Sequence, residues 1–137
     1  MFHKIIFPVD LAHTGSLEKA LTVAADLSRQ YGAPLVALGV TATTPGKVAH
    51  TPEEYANKLD AYAREASERT GVSVTPIVVK TPDPSIDIDD HIMAEARELD
   101  ADLVVMASHV PGMAERLFAS RSGYLAAHAD FSVFVVR

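Results

Sequence analysis

The chain has 137 residues, 48% of them hydrophobic and 22% charged, with 7 Gly and 8 Pro. These values predict one globular domain over residues 1–137 and exclude disordered, collagenous and coiled-coil classes. A net charge of -6 gives nucleic acid or an anionic membrane no electrostatic reason to bind, and zero Cys excludes a disulfide framework, thiolate zinc sites and a cysteine nucleophile. No apolar run approaches the roughly 20 residues of a membrane span. The start, Met1-Phe2-His3-Lys4, lacks a signal-peptide layout, so a cytoplasmic protein is expected.

Strand-like and helix-like segments alternate along the chain. Ile5-Ile6-Phe7-Pro8-Val9 is a short apolar run ending at Asp10, as a buried first strand would be. From Ser16 the period becomes helical, with Leu17, Ala20, Leu21, Ala24, Leu27 and Tyr31 on one face and Gly32 as the stop. Leu35 to Val40 is the second strand. Thr51-Pro52-Glu53-Glu54 opens the second helix with a capping hydroxyl, a first-turn proline and Glu54 three residues after the cap. Its buried stripe is Tyr55, Leu59, Tyr62, Ala63 and Ala66, ending at Gly71. Val72 to Val79 is the third strand, and Pro82 and Pro84 hold a turn from Lys80 to Pro84. Ile88, Ile92, Ala96 and Leu99 space out a third helix, Leu103 to Met106 a fourth strand, roughly Ser120 to Ala129 a fourth helix, and Phe131 to Val136 a fifth strand.

Such alternation implies a parallel sheet with helices on both faces and right-handed crossovers. Sheets of this kind bind ligands outside the carboxyl ends of their strands. Asp10 and the loops after Val40, Val79 and Met106 therefore share one rim. Ala107 to Ser122 lies on that rim between a buried strand and a helix, a setting in which free N–H groups and the helix dipole favour an anion. Ser120 would cap that helix and still present a hydroxyl, with Arg121 adding charge. The same stretch also fits a plain capped helix start after a polar loop. Neither the Gly-x-x-x-x-Gly-Lys loop nor a Gly-x-Gly-x-x-Gly after the first strand is present.

Strand one ending in Pro8-Val9-Asp10 and the close Leu125-Ala126-Ala127-His128-Ala129, then Ser132 to Arg137, resemble the universal stress protein family over essentially the whole chain. The resemblance implies a Rossmann-like fold akin to the adenine nucleotide alpha hydrolases, with strand order 3-2-1-4-5, and commonly a homodimer. It implies ATP or AMP as ligand, with Mg2+ only alongside a bound nucleotide. Nucleotide-binding members carry Gly-2x-Gly-9x-Gly-Ser/Thr after the fourth strand. Here Ala107 and Val110 stand at the first two glycines. Nine intervening residues put Ser120-Arg121 at the last pair, and a loop one residue shorter puts Ala119-Ser120 there, which keeps a hydroxyl at the helix start. Ala107-Ser108-His109-Val110-Pro111 is similar to a family branch with Ala-Ser-His-x-Pro in place of the glycine pair. The nucleotide contacts so implied are Pro8, Val9, Asp10 and Val40 for the base, and Ala107, Ser108, His109, Val110, Ala119, Ser120, Arg121 and Ser122 for the phosphates. Val110 fits worst, since a β-branched residue resists the backbone angles glycine allows. Asp10 stands equally as a ligand contact and as a cap for the next turn.

The remaining features read as structure. Asp87, Asp89 and Asp90 cluster at a helix start, where acidic residues suit the dipole, without EF-hand spacing. The six His show no metal-pair spacing. Neither Ser108 nor Ser120 sits in Gly-x-Ser-x-Gly. The expectation is a binding module rather than an enzyme, with no metal site. Its alternatives are a nucleotide-free interaction module and a slow ATP hydrolase. Residues 131–136, apolar and without a charge to guard an edge, are expected to join two copies.

Overall fold

The computed structural model describes residues 1–108 and 123–137, with side chains at all of these but 85–87. Its elements are β1 (Ile5–Pro8), a 3-10 segment (Leu11–Leu17), α1 (Glu18–Tyr31), β2 (Leu35–Ala42), α2 (Pro52–Thr70), β3 (Val74–Thr81), α3 (Pro84–Glu98), β4 (Leu103–Ala107), a helical stretch over 123–128, and β5 (Ser132–Val136). The strands form one parallel sheet in the order β3-β2-β1-β4-β5.

Period-two alternation divides the sheet's side chains between two cores. Ile5, Phe7, Leu35, Ala37, Leu103 and Val105 face α1 and α2, whereas Ile6, Val36, Leu38, Val104 and Met106 face α3 and Leu125. β1 lies at the centre of the sheet: Ile5 stands opposite both Leu35 and Leu103, and Ile5, Ile6 and Phe7 are wholly buried. Burying each such side chain is worth about 1.5–3 kcal/mol. α1 and α2 stop at Gly32 and Gly71, whose positive φ angles (62° and 73°) close each helix in the left-handed region.

Several boundaries differ from the sequence-based expectation. The segment opening at Leu11 is a 3-10 turn up to Leu17, and the α-helix starts only at Glu18; His13, at φ -138°, interrupts the helical backbone. β2 runs on to Ala42 and β3 to Thr81, because the β2–β3 ladder continues through Thr41↔Lys80 and Ala42↔Thr81. β3 begins at Val74 rather than Val72; there the Ser67 hydroxyl accepts the Val74 N–H at 2.9 Å. The turn expected around Lys80–Pro84 shrinks accordingly, since Pro84 is already the first residue of α3. The acidic cluster thus falls within the first two turns of that helix rather than at its very start.

The two sheet edges are unlike. β3 carries Pro76 and Lys80, residues that discourage pairing with another chain. β5 carries neither, and Phe134 on it is 45% exposed.

Candidate functional site

A cavity of about 390 Å³ opens at the carboxyl ends of β1, β2 and β4. Pro8, Val9 and Asp10 form its floor where β1 ends; Leu38 and Val40 come from β2, and Met106 and Ala107 from β4. Leu17, Val48 and Tyr55 wall one side, while Asp83, Pro84, Ile88, Asp89 and Ile92 from the start of α3 wall the other. Five expected site residues therefore meet in one place: Pro8, Val9, Asp10, Val40 and Ala107. Ser108 follows at the rim, but its N–H is already donated to the Val136 carbonyl at 2.9 Å, extending the β4–β5 ladder. His109, Val110, Ala119, Ser120, Arg121 and Ser122 lie outside the described residues.

Asp10 holds the turn after β1. One carboxylate oxygen accepts the Ala12 N–H at 3.0 Å, and the other lies 2.9 Å from His13 Nδ1. Capping and cavity lining, which the sequence leaves as alternatives, coexist at this residue. The pair is about one-third exposed on both sides, so it is a hydrated contact rather than a buried ion pair. His13 on the rim escaped the sequence reading, although Asp-x-x-His across a tight turn was its visible signal.

The α2 wall is fixed by its cap. Thr51 Oγ1 accepts the Glu54 N–H at 3.1 Å, and Glu54 Oε2 accepts the His50 N–H at 3.1 Å. That His50 N–H, with Lys58 nearby, holds the Glu54 carboxyl below its ordinary range. Lys58 Nζ also donates to the Val48 carbonyl, tying the loop residue that lines the cavity to the helix. Tyr55 follows one residue after Glu54 and is 5% exposed. Burial first, and the negative charge of Asp10 second, push its phenol up to about 12. Its ring passes over β2 at Gly39, where a Cβ would meet the Tyr55 hydroxyl oxygen at 2.6 Å. In the sequence Tyr55 is one member of a helical stripe and is indistinguishable from ordinary core.

The walls are mainly apolar, and the ionisable groups among them are the Tyr55 phenol and the carboxyls of Asp10, Asp83 and Asp89. Such a cavity suits an uncharged ring with polar edges better than a phosphate. Among the described residues no group of three or more His, Cys, Asp or Glu could hold a metal ion, and no helix is long and apolar enough to cross a membrane.

A parallel sheet of this order, covered by helices and with a cavity at its β1 carboxyl end, defines an open Rossmann-like α/β fold. The sequence profile of the universal stress protein family matches residues 1–137, and the chain belongs to that family. Universal stress protein G of Salmonella typhimurium is 27% identical over 146 aligned positions that span all of both chains. The fold is shared with a universal stress protein crystallised with cAMP (TM-score 0.73, 18% identity, 99% of this chain and 97% of that one). It is also shared with the universal stress protein from Archaeoglobus fulgidus in complex with dAMP (TM-score 0.68, 21% identity, 98% of both chains).

Proposed function

We propose that this protein binds an adenine nucleotide, ATP or AMP, weakly or conditionally, and acts in the cytoplasm as a homodimeric stress-response module rather than an enzyme. The observation that carries this reading is the cavity at the carboxyl ends of β1, β2 and β4, whose floor is Pro8-Val9-Asp10. Its volume falls within the usual range for small-molecule sites, roughly 300–1,000 Å³. Support comes from two proteins of like fold that are complexed with cAMP and dAMP. Adenine would lie near Asp10 and Val40, with the phosphates directed towards the residues after Ala107, away from the carboxyls in the cavity wall. In that reading Ala107-Ser108-His109-Val110-Pro111 is the Ala-Ser-His-x-Pro form of the phosphate loop, and Mg2+ accompanies the nucleotide only. Slow ATP hydrolysis is the enzymatic alternative, recognised by metal-dependent turnover above background.

A second reading, a nucleotide-free dimerisation and interaction module, is favoured by the exposed Phe134 on an unguarded edge strand. Titration calorimetry with ATP and AMP to millimolar concentration separates the two. Saturable heat supports the nucleotide reading. Its absence, together with no nucleotide in native mass spectra of the purified protein, leaves the interaction module.

A further inference from the structure

We infer that the Tyr55 hydroxyl determines base specificity, donating a hydrogen bond to a purine ring nitrogen while Asp10 accepts from the neighbouring exocyclic amine. The inference rests on the adenine-nucleotide reading and adds to it a residue from α2. Tyr55 lines the cavity and is 5% exposed, yet no group among the described residues hydrogen-bonds its hydroxyl. Unlike a sealed atom, the Tyr55 oxygen is accessible, so the partner such a hydroxyl ordinarily finds is water or a ligand. The Tyr62 hydroxyl also lacks one, but it is sealed off and Tyr62 does not line this cavity.

Position and chemical sense agree. Tyr55 crosses β2 at Gly39, next to the cavity residue Val40, and lies close enough to Asp10 to feel its charge. A phenol is protonated at physiological pH even at its ordinary value of 10, and burial and that charge only widen the margin, so the hydroxyl is present as a donor. Each Asp10 oxygen already makes one contact, with Ala12 N–H or His13 Nδ1, and retains a second lone pair. A donor and an acceptor lining one cavity match the adenine edge, where an amine adjoins a ring nitrogen. Hypoxanthine presents a carbonyl in place of the amine, and that oxygen would face the Asp10 carboxylate. A site built to hydrogen-bond its ligand rejects an analogue that leaves its groups unpaired.

The test is calorimetry of the intact protein and Tyr55→Phe with AMP, IMP and the 1-, 3- and 7-deaza analogues of AMP. In the intact protein either the 1-deaza or the 7-deaza analogue should bind about three- to tenfold more weakly than AMP, the 3-deaza analogue, whose missing nitrogen does not adjoin the amine, should bind like AMP, and IMP should bind more weakly still. Tyr55→Phe should lose about the same factor for AMP and no longer distinguish AMP from that analogue. Its thermal midpoint should not fall, because the hydroxyl it loses has no protein partner. Binding of the 1- and 7-deaza analogues as tight as that of AMP, or a loss confined to the 3-deaza analogue, overturns the inference without any variant. So does AMP binding that Tyr55→Phe leaves unchanged, in which case the adenine reading itself survives. An intact protein that binds no AMP sinks both.

Discussion

Tyr55 and Gly39 fit together as a ring over a gap: a methyl group at Gly39 would stand 2.6 Å from the Tyr55 hydroxyl oxygen and 2.8 Å from Cε1. Leu59 Cδ2, at 3.0 Å, closes the same gap. Tyr55 belongs to the first turn of a capped helix and is almost wholly buried, so it has little room to yield. Gly39→Ala should therefore cost about 1–3 kcal/mol by overpacking, despite the backbone entropy that alanine saves. Urea unfolding checks this. A variant as stable as the intact protein would mean that the helix shifts freely over the sheet.

Alkaline pH should expose the two buried phenols. Burial, followed by the charges of Asp10 for Tyr55 and Glu18 for Tyr62, raises both to about 12 from an ordinary value of 10. Folding favours the protonated form, so this contribution is whole below pH 10 and is lost as pH rises through 12. By about pH 11 each tyrosine should have cost roughly 1 kcal/mol relative to pH 8. Denaturant midpoints at the two pH values should fall less in Tyr55→Phe/Tyr62→Phe than in the intact protein.

At the opposite rim of the sheet, Asp102 accepts N–H groups from His3 (3.0 Å) and Lys4 (3.1 Å), fastening the start of β1 to that of β4. Partial burial works to raise this carboxyl, but the two N–H groups outweigh it and hold it below the usual carboxylate range. The contribution is thus present above about pH 4 and disappears as pH falls through the depressed value. Asp102→Ala should destabilise at neutral pH by about 1 kcal/mol, a figure reduced for hydration of the partly exposed carboxylate. The difference from the intact protein should narrow in acid, as thermal melts at pH 7 and pH 2–3 would show.

For the homodimer, Phe134→Asp is the sharpest change. Phe134 is already 45% exposed, so a charge there should leave the monomer folded while disfavouring any strand or face laid against β5. Light scattering at tens of micromolar should give a dimer for the intact chain and a monomer for the variant. A monomeric intact chain would remove β5 pairing from the proposed function.

Phosphate recognition is assigned to residues beyond β4. Ser120→Ala and Arg121→Ala should weaken ATP by about tenfold or more while leaving adenosine nearly unchanged, as expected for lost charge-assisted hydrogen bonds. Equal losses for both ligands would indicate a damaged fold or a site elsewhere.

The sheet was legible because its signals are local. The runs at Ile5, Leu35 and Leu103 alternate between two cores, and the Thr51-Pro52 start and the Gly71 stop of α2 follow from cap chemistry. The half of the site built from strand ends, Pro8 to Asp10, Val40 and Ala107, was legible too, since fold class alone puts them on one rim. The helical half was not. Tyr55 becomes a cavity residue only because Gly39, some way off in sequence, lets α2 approach β2, and periodicity carries no such pairwise information. Ile88 and Ile92 likewise read as plain core, since nothing local shows that α3 begins at Pro84 and brings that face over β2. The extension of β3 to Thr81 was hidden because Lys80 and Thr81 look like turn residues until their ladder with β2 is seen.

The central place of β1 also bears on how the chain assembles. β1, β2 and β3 join neighbours in chain order, but β1 meets β4 only by closing a long loop, and Lys4 and Asp102 are 98 positions apart. Loop closure of that length is slow to be rewarded with contacts, so β4 and β5 should dock after the first three strands have formed. During that interval the central strand of the finished protein has one bare edge, Ile5-Ile6-Phe7, with no charge or proline among those three residues. Pulse-labelled hydrogen exchange should find the β2–β3 amides protected before those of β4. A chaperone meeting the nascent chain would find its sticky segment at Ile5-Ile6-Phe7, three side chains that no solvent touches once folding is complete.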